Sequence, residues 1–270
     1  SWFGSDLRCG ECNIEPKVEQ DGYEGVGQVW RAGGLNRAQA QLVPISEGRS
    51  VYGGTPSDAS VIEAITALRG QGQEVMFYPF ILMDQLEGSG LPDPYSDGAE
   101  QPALPWRGRI TLSVAPGRTG TPDRTAAAGV EVADFFGAAV PGDFAVAGSQ
   151  VSYSGAPDFG YRRFILHYAH LCAAAGGVEA FCIGSELRGL SQIRGALDSF
   201  PAVVAMRQLA ADVRLILGPA TKISYAADWT EYFGHHADGN VYFHLDPLWA
   251  DANIDFVGID NYMPVSDWRD

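Results

Sequence analysis

Three acidic residues, Glu186, Asp228 and Asp260, each end an apolar segment that has the composition of a buried strand. Two aromatic residues stand close to them in the chain, Trp229 and Tyr262. A pair of carboxyl groups can break a glycosidic bond, because one protonates the leaving oxygen while the other attacks the anomeric carbon or activates water. Aromatic rings also stack on the apolar faces of sugars. These residue types therefore favour sugar chemistry.

Each acid also has a structural interpretation. Glu186 could cap the turn that follows it, or pair with Arg188 or Arg194. Asp228 could cap the next turn, since aspartate is a frequent capping residue. Asp260 could hydrogen-bond neighbouring loops. Residue types alone leave both interpretations open.

Three other groups of residues are candidate sites. The segment Trp106–Arg109 offers a ring and two cations, and it could either line a sugar site or anchor a loop through salt bridges. His235 and His236 are typical of a solvated loop. His244 and Asp246 could ligate a metal, but no third ligand stands at a suitable spacing. We expect no metal site.

The cysteines indicate no redox or zinc chemistry. Cys9 and Cys12 form a C-x-x-C pair, but no second ligand pair completes a zinc site. The pair is either a local disulfide or without function. Cys172 and Cys182 lie in apolar runs and are predicted to be buried thiols.

Strand and helix patterns alternate along the chain, which predicts a parallel sheet. Apolar runs indicate buried strands, and apolar residues at helical spacing indicate the helices. The expected elements are a helix capped at Thr55 and ending near Gly70, a strand over Glu74–Leu82, a helix with Phe164–Ala175 on its face, a strand over Val178–Ile183, a helix from Phe200 to Gly218, a strand over Lys222–Ala227, a short helix over Leu248–Ala252 and a strand over Ile254–Asp260.

A length of 270 residues suits one (β/α)8 barrel, and no glycine-rich dinucleotide fingerprint follows any strand. We therefore favour an α/β barrel over an open nucleotide-binding sheet, and we expect no cofactor. A long insertion at about residues 84–158 follows a strand end, so it should lie over the barrel mouth. Thr125–Phe136 is the helix expected inside it. Active sites of such barrels lie at the carboxyl ends of the strands.

The formal charge of −15 argues against nucleic acid and anionic membranes as partners. No segment approaches the ~20 apolar residues of a membrane helix, so no membrane insertion is expected. The chain opens on Ser1 and stops at Asp270 without a terminating helix, which suggests a piece of a longer polypeptide. We treat residues 1–270 as one partial barrel domain.

Several segments resemble the TIM-barrel-like domain of the large tail-tip, or baseplate, protein of gene transfer agents and related prophages. The matching segments are Tyr52–Asp58, Trp106–Thr111, Ile183–Leu190, Ala211–Arg214, Ser224–Trp229 and Val257–Pro264. The resemblance implies a place in the tail of a virion-like particle. It implies other tail-tip proteins and a cell-envelope polysaccharide as partners, during host attachment and DNA delivery.

The family is more distantly similar to retaining TIM-barrel glycoside hydrolases, in particular mannanase-like enzymes. This similarity implies that Glu186 ends strand four and serves as general acid/base, with Asp228 and Asp260 ending strands five and six. Strands two to six would be present, beginning with Trp2–Phe3. The residues expected to contact a substrate are Ser185, Trp106, Arg107, Tyr225, Asp228, Trp229, Asp260 and Tyr262.

Two departures from the glycoside hydrolase pattern bear on activity. Ser185 stands where these enzymes usually have Asn, and it reaches less far toward a sugar hydroxyl. Their nucleophile is a Glu at the end of strand seven, to which no residue of this chain corresponds. We therefore expect this chain alone to be inactive, and catalysis by the longer protein stays open.

Three functions follow from these observations. The first is a glycosidase-like domain that acts on envelope glycan with Glu186 as acid. The second is a catalytically silent structural or receptor-binding module of the tail tip, which Ser185 favours. The third is a solute-binding α/β protein with two lobes, but the sequence offers no linker that could serve as its hinge.

Overall fold

The computed structural model describes residues 1–4, 13–20, 29–263 and 266. The Cys9 and Cys12 pair and Pro264 lie outside these residues.

The strands are mostly short. In chain order they are β1 (Trp2–Gly4), β2 (Ile14–Glu15), β3 (Lys17–Val18), β4 (Arg31–Ala32), β5 (Leu35–Asn36), β6 (Gln41–Leu42), β7 (Ile45–Ser46), β8 (Arg49–Ser50), β9 (Met76–Phe77), β10 (Ile81–Met83), β11 (Phe144–Ala147), β12 (Gln150–Tyr153), β13 (Ala180–Ser185), β14 (Lys222–Asp228), β15 (His235–Ala237), β16 (Asn240–Tyr242) and β17 (Gly258–Asp260). The helices are α1 (Asp58–Gly70), α2 (Ala126–Phe136), α3 (Tyr161–Ala174), α4 (Arg188–Ser191), α5 (Pro201–Leu217) and α6 (Asp246–Trp249), with 3-10 turns at Arg107–Arg109, Pro141–Asp143 and Ala196–Asp198.

Parallel strands form the wall that carries the site. β1 pairs with β10, while β9, β13, β14 and β17 pair in that order, and every one of these pairings is parallel. β9 and β10 are two parts of one strand position, so the wall has the order expected for positions two to six of a TIM barrel. The mixed α/β, TIM-barrel-type fold is confirmed, with β17 shorter than the expected strand over Ile254–Asp260.

The third strand position is broken, so the prediction of one continuous strand over Glu74–Leu82 was wrong. β9 pairs with β13 and β10 pairs with β1, and Tyr78, Pro79 and Phe80 lie between them. Proline has no backbone N–H and cannot donate to a strand ladder. The break places Tyr78 and Phe80 near the strand ends, where both contact site residues.

Three helices cover the wall. α1 packs on α3 and α3 packs on α5. Side chains from α3 and α5, such as Leu166 and Leu209, share one core cluster with Phe181 of β13 and Ile223 of β14. The predicted apolar faces explain this layer, because helices beside a parallel sheet bury one stripe against it.

Helix ends differ from the predictions in two places. Ser57, rather than Thr55, caps α1, and its Oγ accepts a hydrogen bond from the Ser60 N–H at 3.2 Å. Thr55 instead accepts a hydrogen bond from the N–H of Lys17. The last short helix is α6, which begins and ends earlier than the expected Leu248–Ala252 because Pro247 stands in its first turn.

The insertion at residues 84–158 has two parts. Its first part carries the 3-10 turn Arg107–Arg109, which packs against α4 at the strand ends, as expected for a loop over the mouth. Its second part contains α2 and the β11–β12 hairpin, which pack on α3 and α5 outside the wall. The predicted helix over Thr125–Phe136 is confirmed, with Thr125 as its cap. The expectation that the whole insertion covers the mouth was wrong.

The described part of residues 13–53 forms small two-stranded ladders, β3–β6, β4–β5 and β7–β8, around a minor core of Val18, Trp30 and Ala32. Among the described helices, none is long and apolar enough to cross a membrane. Cys172 and Cys182 are buried and free, as predicted.

Candidate active site

Glu186 occupies a strained turn directly after β13. Its φ of 50° lies in the left-handed region, which costs a non-glycine residue on the order of 1 kcal/mol or more. Two hydrogen bonds hold the turn. The Glu186 N–H donates to the Ala226 carbonyl at 2.8 Å, and the Leu187 N–H donates to the Tyr225 hydroxyl at 2.7 Å. The strain fixes the direction in which the Glu186 carboxyl leaves the strand.

The two oxygens of the Glu186 carboxyl have different surroundings. Oε2 accepts a hydrogen bond from Trp106 Nε1 at 2.6 Å and lies 3.0 Å from Nη2 of Arg107. Oε1 is buried and has no hydrogen-bond partner among the residues that the structure describes. The carboxyl group thus has one oxygen that is shielded from solvent and lacks a donor among the described residues. The structure pairs Glu186 with Arg107, not with Arg188 or Arg194.

The pKa of Glu186 is raised. Burial is the largest cause, and the nearby negative charge of Asp260 raises it further. The Trp106 hydrogen bond and the Arg107 charge act in the opposite direction. A carboxyl group with a raised pKa can hold a proton at higher pH and deliver it, which is the task of a general acid.

Asp260, at the end of β17, lies beside Glu186 rather than across a gap from it. Its negative charge is close enough to raise the pKa of Glu186. The Tyr78 hydroxyl donates a hydrogen bond to Asp260 Oδ2, and burial together with Asp260 raises the pKa of Tyr78. Asp260 therefore favours the protonated form of Glu186.

Ser185 faces inward. Its hydroxyl accepts a hydrogen bond from Arg107 Nε at 2.9 Å, and its carbonyl accepts from the same atom at 3.0 Å. The guanidinium of Arg107 also lies over the Phe80 ring, 5.2 Å from its centroid. Ser185 therefore orients Arg107, and Arg107 orients Glu186. The salt bridges of Arg107 and Arg109 agree with the structural interpretation of the Trp106–Arg109 segment, and a sugar contact by this segment stays a prediction.

Tyr225 does not reach the mouth. Its side chain is fully buried, and its hydroxyl lies 3.0 and 3.1 Å from the two carboxylate oxygens of Glu231. That carboxylate also accepts a hydrogen bond from the Ser191 hydroxyl at 2.6 Å. Burial raises the pKa of Glu231 to about 7. The expected substrate contact by Tyr225 is not available in this arrangement, where Tyr225 supports the Glu186 turn instead.

Asp228 caps the turn that follows β14. Its Oδ1 accepts hydrogen bonds from the N–H and the hydroxyl of Thr230, and its own N–H donates to Glu231 Oε2 at 3.1 Å. The contact of the Asp228 N–H with Glu231 is one half of a capping box, while the Asp228 side chain accepts from Thr230 instead of the Glu231 N–H. The capping interpretation of Asp228 thus agrees with the geometry, and a substrate contact by this residue stays a prediction.

A cavity of about 710 Å³ is lined in part by Arg188 and Trp229, which follow Glu186 and Asp228 in the chain. It has the size of a small-molecule site. Its lining is Pro94, Tyr95, Arg188, Gln192, Trp229, Thr230, Tyr232, Phe233, Gly234, His235, His236 and Met263. The Tyr95 ring stacks on Trp106, with centroids 6.3 Å apart, and so connects the cavity with the Glu186 hydrogen bond. Trp229 lines this cavity, while Tyr262 is largely exposed near Glu186, whose charge raises the pKa of Tyr262.

The sequence missed four residues that build this arrangement: Tyr78, Tyr95, Ser191 and Glu231. The Asp-x-x-Glu spacing of Asp228 and Glu231 is a recognisable capping-box signal. The other three residues are joined to the site by contacts between distant parts of the chain, for which the sequence gives no local signal.

Histidines and acids do not gather into a metal site in the described part of the chain. His244 is buried, with its Nε2 3.2 Å from the Ser191 hydroxyl, and burial lowers its pKa to about 4. Nε2 of His244 therefore already has a hydrogen-bond partner within the fold.

A comparison with protein-family models agrees with the fold. Residues 159–270 match a family model described as "GTA TIM-barrel-like domain". The solved structure titled "Complex structure of GH113 beta-1,4-mannanase" is similar at 16% identity with a TM-score of 0.42, covering 84% of this chain. The chain spans about half of that protein, 50% of its length. A search of curated protein sequences found no match. We conclude that the chain has a TIM-barrel-type fold, and that its part from residue 159 to 270 is similar to the GTA TIM-barrel-like domain.

Proposed function

We propose that this chain is a glycan-recognition domain that carries a glycosidase-like acid, Glu186, at the mouth of its barrel wall. One observation supports this function above all: the buried Glu186 carboxyl, whose pKa is raised, accepts a hydrogen bond from Trp106, and Trp106 stacks on Tyr95, which lines the aromatic cavity. Aromatic walls suit the apolar faces of sugars. A proton held beside them suits the oxygen of a glycosidic bond.

The chemistry proposed for Glu186 is proton donation. The protonated carboxyl would transfer its proton to the leaving oxygen and become a carboxylate. Trp106 and Arg107 then stabilise that carboxylate, because both point donors at Oε2. Asp260 keeps the proton on Glu186 until transfer, through its negative charge. The second carboxyl of a glycosidase is not assigned among the described residues.

The biological setting is part of the proposal. The match of residues 159–270 to the GTA TIM-barrel-like domain supports a place in the tail tip of a gene-transfer-agent or phage-like particle. There the domain would contact cell-envelope polysaccharide and neighbouring tail-tip proteins during host attachment and DNA delivery. The charge of −15 agrees with partners other than nucleic acid or anionic membranes.

A second candidate function is recognition without catalysis. Two contacts favour it. Arg107 forms an ion pair with Glu186, which favours the ionised carboxyl, and it also occupies the Ser185 hydroxyl that would otherwise be free for a sugar. In this case the domain would bind glycan or present a rigid surface to the host, and no bond would be broken.

The two functions are separated by measuring binding and the release of reducing ends together. The probes are bacterial envelope polysaccharide and β-mannan, and the proteins are wild type and Glu186→Gln. If the acid is used, any release should fall by about 100-fold or more in the variant, the size expected for a general acid. Equal release from both proteins would overturn the role of Glu186. Binding without release in both would leave recognition as the function.

A further inference from the structure

Arg188 is a cation that the fold does not neutralise. No ion pair or side-chain hydrogen bond involves its guanidinium in the part of the chain that the structure describes, and its Nε is buried without a partner. The guanidinium lies over the Tyr95 ring, 4.8 Å from its centroid. Other arginines around the mouth are paired: Arg107 with Glu186, and Arg109 with Asp93.

The cavity beside Arg188 contains no acidic side chain among its described lining residues. This is unusual in a chain with 33 acidic and 18 basic residues. Three acids outside this lining act electrostatically on its residues, Asp228 and Glu231 on Tyr95 and Asp123 on His235, and all three are buried and hydrogen-bonded. Within the described lining itself, positive charge therefore exceeds negative charge.

Arg188 supplies that positive charge at neutral pH. His235 also lines the cavity, but burial and the charge of Arg188 lower its pKa to about 4, so its ring is neutral. A neutral imidazole can still donate or accept one hydrogen bond to a ligand. The guanidinium offers a planar fork of donors, which fits the two oxygens of a carboxylate better than any neutral hydroxyl.

We propose that this cavity binds a hexuronic acid residue of an acidic polysaccharide, with the sugar carboxylate on Arg188 and the sugar ring against Trp229 and Tyr95. The inference rests on the proposed glycan-recognition function and specifies its substrate class. A hexuronic acid matches both features of the cavity, because its carboxylate can bind the guanidinium and the apolar face of its ring can pack on the aromatic walls. Arg188 follows Glu186 by two residues, so both belong to the segment that ends β13 and begins α4.

A matched pair of ligands tests this proposal. Oligomers of β-1,4-linked mannuronic acid and of β-1,4-linked mannose have the same linkage and ring stereochemistry and differ in the carboxylate at carbon six. We expect the intact chain to bind the mannuronic acid oligomer at least about tenfold more tightly in calorimetric titrations, the size of one charge-assisted hydrogen-bonding contact. The two ligands are compared on the wild-type protein, so this result needs no variant to fold.

Variants then assign the preference to Arg188. Arg188→Gln should remove the tenfold difference between the affinities for the two oligomers. Arg49→Gln removes the same charge from an exposed position on β8 and should leave the preference intact. The inference would be overturned if wild type bound the two oligomers with equal affinity, or if Arg188→Gln kept the preference for the mannuronic acid oligomer. Binding of the mannose oligomer would in either case still support glycan recognition. Binding of neither oligomer would overturn both.

Discussion

Glu186 is held between groups that favour its protonated form and groups that favour its ionised form. Burial and Asp260 raise its pKa, while Trp106 and Arg107 lower it. Since these effects come from separate side chains, each can be removed alone. The sequence placed Glu186 at a strand end, but nothing in the sequence indicated that Asp260 would lie beside it.

Removing a charged neighbour should move the pKa of Glu186 in a direction set by the sign of that neighbour. Asp260→Asn removes a negative charge and should lower this pKa, whereas Arg107→Gln removes a positive charge and should raise it. The measurement is a titration followed by the carboxyl carbon signal of Glu186 in NMR. Shifts in the same direction for both variants would contradict the arrangement described for the site.

The loop that carries Trp106 rests on α4 through a close backbone contact. A Cβ added at Gly189 would lie 2.6 Å from the carbonyl oxygen of Ile110 and 2.7 Å from that of Gly108. Both are backbone atoms, which cannot swing aside as a side chain can. Glycine at position 189 therefore lets the loop approach α4 and bring Trp106 and Arg107 to Glu186.

Gly189→Ala should push this loop away from α4. We expect a loss of about 1–3 kcal/mol in the free energy of unfolding, the usual cost of overpacking. The indole N–H signal of Trp106 should also lose the shift caused by its hydrogen bond to Glu186. Denaturant titration and NMR of the indole N–H groups measure the two effects.

Gly129→Ala is the matched control for Gly189→Ala. Gly129 lies within α2, and an added Cβ would meet nothing within 4 Å. Alanine should stabilise the helix by about 0.5–1 kcal/mol and leave the Trp106 signal in place. If both variants destabilise the protein alike, the Gly189 contact is not the cause.

The elements could be predicted from the sequence to the extent that their signals were local. Apolar stripes identified α3 and α5, and Thr125 correctly marked the start of α2. The break of the third strand position at Pro79 was not predicted, because the apolar run around it is continuous. Proline cannot donate a hydrogen bond to the ladder, and that local signal was the correct one. The cap at Ser57 was assigned to Thr55, whose side chain is used by Lys17 in a distant strand.

A buried hydrogen-bond network joins several elements behind the site. Glu231, which follows β14, accepts hydrogen bonds from the hydroxyls of Ser191 in α4 and Tyr225 in β14. The Tyr225 hydroxyl in turn accepts a hydrogen bond from the Leu187 N–H. Burial raises the pKa of Glu231 from 4.5 to about 7. The network thus couples the stability of the whole molecule to pH near neutrality.

The stability of wild type relative to Glu231→Gln should fall as pH rises. The folded state binds the Glu231 proton more tightly than the unfolded state, so this contribution is complete below about pH 4.5 and is lost as pH rises through about 7. We expect the difference in unfolding free energy between the two proteins to change by about 3 kcal/mol over this range. Urea titrations at several pH values measure it, and a difference that rises with pH would contradict the account.

At the scale of the whole molecule, the parallel wall and the general position of the acids could be predicted from the sequence. The cavity could not be predicted from the sequence, because its lining comes from separate elements: Tyr95 from the insertion, Arg188 from α4 and Met263 from beyond β17. Only the packing of the insertion on α4 brings these side chains together. The net charge of −15 likewise gave no indication of a cavity without acidic residues in its described lining.

The central claim is that a glycan occupies the mouth beside Glu186, and the indole N–H signals test it most directly. The chain has six tryptophans, of which Trp106 and Trp229 lie at the mouth, while Trp2 and Trp30 are buried elsewhere. On titration with oligosaccharides from bacterial envelope polysaccharide, the Trp106 and Trp229 signals should move and saturate together, and those of Trp2 and Trp30 should stay. Unmoved mouth signals, or changes only at Trp2 and Trp30, would contradict the account.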